Sequence, residues 1–253
     1  MSEGTILKLG GSILTNKSGD CTINHHQLLQ IAGDIDRGNA RFLLLVHGAG
    51  SCGHPQAKKY HLDVGLSAMN IQGVYETHAA VQILNTAVVN ALRTRGVEAV
   101  GISPLACAVA RDGRLIALES RPLSRMLEKG IVPVLHGDVV MDERRGASII
   151  SGDQLVTRLA IDLSMNRVGL ATDVAGVLHK GQVIPHIYPE EVYSLDLRES
   201  PHADVTGGMR GKIQELVALA EQGIESHVFH VTRIRNFLEG SAHGGTIVGG
   251  EGA

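Results

Sequence analysis

RFLLLVHGAGSCGHP, residues 41–55, holds the pattern on which the reading of the fold turns. A short aliphatic run with no polar alternation reads as a strand, and the run ends abruptly in a loop. In residues 47–55 glycine takes three of nine positions and histidine two. A strand that empties into such a loop can turn bare backbone N–H groups toward an anion. The same letters also fit an ordinary turn that happens to carry two histidines, and the stretch alone does not choose.

Outward from this point, short aliphatic runs alternate with segments of helical period. TILKL (5–9) reads as a strand, and residues 24–38 as a helix with Leu28, Ile31, Ala32 and Ile35 on one face. Residues 74–96 repeat the helical spacing through Val81, Leu84, Val88, Ala91 and Leu92, and stop at Gly96. A strand is expected at EAVGIS, a hairpin over 108–118 turning at Asp112-Gly113, and a short helix at PLSRMLEKG. IVPVLHGD (131–138) and RVGLATD (167–173) read as strands ending in polar loops, and SGDQLVTRLAID (151–162) as a loop opening a helix. A helix over 209–223, the strand SHVFHV, a short helix over 233–239 and the strand TIVG complete the series. Strands alternating with helices imply an α/β fold with a mostly parallel sheet covered on both faces. Ligands in such folds bind outside the carboxyl ends of the strands, so the loops LGGSILTNK, HGAGSCGH, HGD, SGDQ and ATDVAGV are where chemistry is sought.

The bulk numbers bound the answer. A chain of 253 residues can bury one substantial core, and 43% hydrophobic with 19% charged residues describes a globular protein. A formal charge of −3 supplies no basic field for nucleic acid, although a few local cations suffice for a small anion. No apolar stretch approaches a membrane span and MSEGTILKLGG lacks a signal-peptide layout, so a cytoplasmic protein is expected. Cys21, Cys52 and Cys107 lie far apart, and an odd, low count points to a reducing compartment without a disulfide framework.

KLGGS (8–12) puts a lysine on a strand with two glycines at its end, and Lys17 follows close enough to reach back. It matches neither the P-loop nor the dinucleotide fingerprint. In HGAGSCGH, His54 gains meaning only if the loop holds a phosphate, to which its N–H can donate; His47 reads as structural. Ser151 reads as a helix cap with Asp153 in the first turn, where a carboxylate suits the helix dipole or, alternatively, orients lysines. TDVAGV (172–177) reads as a strand-end turn with an acid, and DVTGGMRGK (204–212) as a Gly-rich loop feeding a helix that carries Lys212, with Thr206 as its cap. Singly each is ordinary. Five such loops, three lysines (Lys8, Lys17, Lys212) and no general-base constellation together describe phosphoryl transfer, which needs positioning and charge neutralisation.

With those residues in place, KLGGS, the HGxG loop, TDVxGV and DVTGGM with its following lysine resemble the amino acid kinase superfamily, in the family's order and over essentially the whole chain. Within it, ILKLGGSILTNK, VHGAGSCGHPQAKKY, VLHGDVV, ISGDQL and ADVTGGMRGK look most like the isopentenyl phosphate kinases of the archaeal-type mevalonate route. The histidine of GHP separates these, together with fosfomycin kinase, from kinases of amino acids and carbamate. The resemblance implies a three-layer αβα sandwich with an open, mostly parallel sheet in a single domain, 1–253. It implies an acceptor-binding lobe over about 1–165, a nucleotide-binding lobe over about 166–253, and a homodimer. It implies ATP with Mg²⁺, isopentenyl phosphate as acceptor and isopentenyl diphosphate as product, with a fosfomycin-type kinase of the same fold or a non-catalytic nucleotide binder as alternatives.

By position in the family motifs, Lys8 would grip the transferred phosphoryl group, Lys17 would stabilise its charge, and Gly10, Gly11, Ser12 and Gly50 would line the phosphates. His54 would hydrogen-bond the acceptor's phosphate with backbone help at Ala49, Gly50 and Gly152, and Asp153 would hold the lysines. Thr172, Asp173, Gly208 and Lys212 would contact ATP, and no protein carboxylate is assigned to a metal. The chain departs from the family at Cys52, where an aromatic is common, and at Ala175, where an acid is common. Met69, Ile71 and Val74 are the expected lining for the acceptor's hydrocarbon tail.

Overall fold

The computed structural model describes residues 4–16, 21–38, 40–190 and 208–250. In chain order it begins with β1 (Thr5–Leu9), α1 (Gly11–Leu14), α2 (His25–Gly38), β2 (Leu43–His47), α3 (Gly50–Lys59) and α4 (Gln72–Thr94). The middle of the chain supplies β3 (Ala99–Gly101), α5 (Pro104–Cys107), β4 (Ala108–Arg111), β5 (Arg114–Leu118), α6 (Arg121–Glu128), β6 (Val132–His136), β7 (Asp138–Asp142) and β8 (Gly146–Ile150). Then come α7 (Gly152–Asp162), β9 (Arg167–Thr172), β10 (Leu178–His179), β11 (Gln182–Val183), β12 (His186–Ile187), α8 (Gly208–Ala220), β13 (Glu225–His230), α9 (Ile234–Leu238) and β14 (Thr246–Val248).

Eight strands form one sheet in the order β12-β14-β13-β9-β1-β2-β6-β3. Every neighbouring pair is parallel except β13 with β14. The two central strands carry apolar side chains on both faces because helices cover both faces. Ile6, Leu44 and Val46 face the core that packs on α6, α7 and α8 through Leu123, Leu155, Leu159, Ile213 and Leu216. Leu7, Leu9, Leu43 and Leu45 face the opposite core, built by α2, α4 and α9 through Leu28, Ile31, Leu84, Val88 and Phe237. The result is the three-layer αβα arrangement expected above. Alternation along β1 places Lys8 on the same face as Ile6, toward α7 and α8, which decides where its charge ends up.

The hairpin expected over 108–118 is present: β4 and β5 are antiparallel, and Asp112 and Gly113 turn with φ of 52° and 79°. Two positive φ angles in a two-residue loop are the demand that Asp-Gly satisfies. What the sequence reading did not assign is the adjacent hairpin β7–β8, which completes a second sheet in the order β5-β4-β7-β8. Asp142 joins the two hairpins. Its buried carboxylate accepts N–H groups of Asp112 (3.2 Å), Gly113 (2.8 Å), Arg144 (2.9 Å) and Arg145 (2.9 Å) and the Ser148 hydroxyl (2.8 Å). Burial opposes its charge, but these donors hold the carboxyl well below the usual carboxylate range.

Two expectations are corrected. The strand read from Arg41 starts at Leu43, because Phe42 adopts φ of 51° and breaks the extended run. The cysteines are not all thiols: Cys21 and Cys52 form a disulfide, leaving Cys107 as the remaining thiol. Chain spacing concealed the pair. Leu14 and Asn24 are brought together by the Asn24 N–H to Leu14 O bond (2.8 Å), and Asn16 N–H reaches Thr22 O at 2.9 Å, so Cys21 returns toward the first turn of α3. Cys52 is therefore neither a loop residue nor a spare thiol beneath an acceptor loop.

A crosslink across 31 residues removes chain entropy worth about 3–4 kcal/mol from the unfolded state. Reduction with a phosphine is expected to lower the melting temperature by on the order of 10 °C. Cys52→Ser should show the same drop with no further change under reductant, and differential scanning calorimetry on both proteins, oxidised and reduced, decides it.

Candidate active site

The loops at the carboxyl ends of four adjacent strands lean on one another through backbone bonds. Gly10 N–H donates to Ala171 O (2.9 Å), Gly48 N–H to Leu9 O (3.0 Å) and Gly137 N–H to His47 O (2.9 Å). Glycine is required by contact as well as by conformation. A Cβ on Gly11 would sit 2.5 Å from Gly50 N, and one on Gly48 would sit 2.8 Å from Gly11 N. Gly50 has φ of 54°, which only glycine takes without cost.

HGAGSCGHP is resolved differently from its reading as a loop. The loop is only Gly48 and Ala49; α3 starts at Gly50, and Ser51, Cys52, Gly53 and His54 are helical. The stretch thus opens the first turn of a helix, whose N-terminus carries the positive end of the helix dipole. The Thr15 hydroxyl, which donates to Gly11 O (3.1 Å), accepts the Ser51 N–H (2.9 Å) and fixes that turn. His54 lies in the second turn, before Pro55. Thr15 was missed from sequence; its only signal was a hydroxyl four residues after Gly11.

The second helix start at this floor is α7. Ser151 caps it by accepting the Gln154 N–H at 3.2 Å, as the sequence expectation had it. A Cβ on Gly152 would lie 3.1 Å from Lys8 Cε and 3.3 Å from His47 O, so α7 begins directly against β1 and β2. Asp153 then meets two cations. Lys8 Nζ is 2.6 Å from Oδ1, and Lys212 Nζ, arriving on α8, is 3.2 Å from both oxygens. Of the three lysines expected together, two converge on Asp153; Lys17 lies outside the described residues, as do Thr206 and the 204–207 part of the Gly-rich loop.

Burial and the neighbouring Lys212 pull the Lys8 ammonium down to about 8, against the pull of Asp153. Burial likewise penalises the Asp153 charge, but Lys212 and Lys8 together hold the carboxyl far below the ordinary range. Two ammonium groups and a carboxylate thus gather beside the N-terminus of α7, which is a setting for phosphate.

On the other side of β1, Thr172 ends β9 with its hydroxyl turned back into the chain, donating to Val174 O at 2.9 Å. It shapes the 173–177 turn and does not project outward, while Asp173 is exposed. Gly176 packs against Thr246, whose hydroxyl accepts the Val177 N–H at 2.8 Å. Gly208 is the first residue of α8, and Ser12 is exposed in α1. Among the described residues no three His, Cys, Asp or Glu converge as metal ligands, and Asp153 is committed to lysines.

Two of the three expected tail-lining residues are corrected. Met69 is 96% exposed and Ile71 59%, because Asn70 ties the 65–70 turn together through Tyr60 O and Gly65 O and swings them outward. Val74 does pack inward, with Leu62, Val139, Ala147 and Ile149. Behind the floor, His47 and His136 stand in register at the ends of β2 and β6, both buried, and burial keeps both rings neutral.

A sequence model of the amino acid kinase family matches residues 3–230, and the chain belongs to that family. Within it, similar relatives include isopentenyl phosphate kinases: that of Methanothermobacter thermautotrophicus is 38% identical, covering 97% of this chain and 99% of the relative. The isopentenyl phosphate kinase of Haloferax volcanii is 38% identical over 97% of this chain and 98% of its own. A solved structure described as an isopentenyl phosphate kinase superposes with a TM-score of 0.84 at 35% identity, covering 96% of this chain and 99% of that one.

A phosphate-gripping Lys8 must be charged, so kcat/KM is expected to fall as pH rises through about 8. Stability runs the other way. The folded value lies below the ordinary 10.5, so the penalty for burying the charged form is present in full below pH 8 and relieved between about 8 and 10.5. Relative to Lys8→Met, the wild-type protein should gain melting temperature across that window while losing activity, as pH–rate and pH–melting profiles would show.

Proposed function

We propose that the chain is an ATP-dependent kinase that phosphorylates isopentenyl phosphate to isopentenyl diphosphate by direct in-line transfer. The observation that carries this reading is the Lys8–Asp153–Lys212 cluster at the meeting of the α3 and α7 N-termini. Its full-length similarity to isopentenyl phosphate kinases supplies the acceptor.

The chemistry asked of the protein is modest. The acceptor oxygen already belongs to an anionic phosphate, so no strong base is needed, and the difficulty is bringing two polyanions together. The amides of α3 and the His54 ring hold the acceptor phosphate; those of α7, from Gly152, face it from the other helix. Lys8, central in the sheet, grips the phosphoryl group in transit, and Lys212 reaches the nucleotide from α8. Asp153 keeps the two ammonium groups apart at fixed positions and limits their mutual repulsion. Gly10, Gly11, Ser12, Gly50, Thr172, Asp173 and Gly208 belong to the nucleotide side, and Lys17 to the transferred phosphoryl group. Mg²⁺ would supply charge neutralisation on the nucleotide's phosphates, and no protein carboxylate is assigned to hold it.

In this reading residues up to about 165 hold the acceptor and those beyond it the nucleotide, in one domain of a cytoplasmic homodimer. The outer face of α4, with Tyr75 and Ile83 exposed, suits a second copy. Val74, Val139 and Ile149 bound the tail of the acceptor.

ADP release measured with isopentenyl phosphate, fosfomycin and glutamate as acceptors tests the assignment. Turnover is expected with the first; preference for fosfomycin would make this a phosphonate kinase, and none with any acceptor a nucleotide binder. Lys8→Ala should cost about 10²–10³ in kcat, as loss of a preorganised electrostatic donor does. His54→Ala should cost ~1.5–3 kcal/mol in acceptor use and leave ATP affinity alone; an effect on ATP alone would place His54 at the other end of the site.

A further inference from the structure

The ion pair that delivers Lys212 belongs to a closed ring of contacts. From Asp153 the chain passes to Gln154, whose Oε1 accepts the Leu115 N–H (3.0 Å) and whose Nε2 donates to Gly113 O (3.2 Å). One turn along α7, Arg158 donates to Ile116 O (3.0 Å). Residues 113–116 of the β4–β5 hairpin are thus fastened to α7, and Asp142 grips the turn from below. At the tip, Arg114 Nη1 meets Glu215 Oε1 at 2.6 Å, and Glu215 lies on α8 three residues after Lys212. Lys212 closes the ring on Asp153.

Glu215 is the unexpected member. It is only 7% exposed, and residues three apart on a helix share a face. An acid placed there is within reach of the Lys212 ammonium, in direct competition with Asp153. Arg114, although its own side chain is 65% exposed, occupies the Glu215 carboxylate from a rigid hairpin. We propose that Arg114 is a positioning residue that holds Glu215 off Lys212, so that Lys212 stays with Asp153 and the nucleotide. The proposal rests on the phosphoryl-transfer reading for its rate consequence but not for its binding consequence.

If the Arg114–Glu215 pair were no more than an ordinary ion pair at the edge of the surface, function would not depend on it. If Arg114 acts as proposed, its removal frees a buried carboxylate to capture Lys212 as an i,i+3 pair, and the defect comes from the acid left behind. Arg114→Ala is then expected to lower kcat with ATP and isopentenyl phosphate by roughly ten- to a hundredfold, the scale of a misplaced reacting group. ATP alone should bind more weakly in a calorimetric titration, and acceptor KM should hold. Arg114→Lys should keep most of the activity. The deciding protein is Arg114→Ala/Glu215→Gln, in which the competing acid is gone: it should recover kcat and ATP affinity well above Arg114→Ala.

Wild-type kcat and ATP affinity in Arg114→Ala would overturn the proposal, whatever its melting temperature. So would a double variant no better than Arg114→Ala, which would make the pair a plain brace. A wild-type protein that binds ATP but turns over no acceptor would sink the proposed function instead, and the ATP titrations alone would then decide the role of Arg114.

Discussion

A buried carboxylate held between two ammonium groups is the constraint on which the rest of the site depends. None of the three charges would survive at that depth alone, since desolvation of an unpaired ion costs several kcal/mol. Lys8 comes from the middle of the sheet, Asp153 from the start of α7 and Lys212 from α8. Each is therefore tied to a different layer of the fold, and their mutual distances are those of the layers. Under the proposed function an anionic ligand enters beside this cluster, so that phosphate binding and the packing of the three layers draw on the same charges.

The second constraint is clearance. Three chain crossings at the ends of β9, β1, β2 and β6 approach so closely that side chains are excluded at Gly11 and Gly48 and crowded at Gly152. What occupies that space is backbone N–H, aimed by two helix starts. Local rigidity follows: Thr15 pins α3, Ser151 caps α7, and the disulfide of Cys52 with Cys21 ties the first turn of α3 to the segment after α1. A phosphate bound by such amides requires no reorganisation of the protein, which is the condition under which fixed dipoles contribute most to a transfer reaction.

The parts legible in the sequence were those with a local cause. Aliphatic runs became strands within a residue or two, Asp112-Gly113 became the turn its conformational preference demands, and Ser151 capped α7. The glycine-rich strand ends gather as a group at one edge of the sheet. Features set by distant contact stayed hidden. The start of α3 at Gly50 breaks the usual rule, since Gly50, Gly53 and Pro55 are poor helix formers, and tertiary packing against Gly11 and Thr15 prevails over their propensity. The hairpin β7–β8 depends on Asp142, an acid that looks like a surface residue until five donors surround it. Cys21 and Cys52 are 31 residues apart, and nothing in their spacing announces a pair. Met69 and Ile71 are expected from their apolarity to line a hydrocarbon tail, whereas both are exposed beside the turn that Asn70 builds.

Lys8 shows how core and chemistry share one cause. In a strand covered on both faces, alternate positions must enter one core or the other, and the position after Leu7 enters the core of α7 and α8. Any residue there is dehydrated by the packing that holds β1 in the sheet. An apolar side chain would add to the core; lysine is retained at the cost of a lowered proton affinity, offset by Asp153. The ammonium that results is poorly hydrated, immobile and directed at the floor where the glycines part, so little solvent need be removed before it meets a phosphoryl group. Its partner Lys212 reaches the same carboxylate from a helix whose own acid, Glu215, is kept occupied by a hairpin on the far side of α7. The site's geometry is thus distributed: the strand sets one cation and desolvates it, while the position of the other depends on contacts that run through a second sheet.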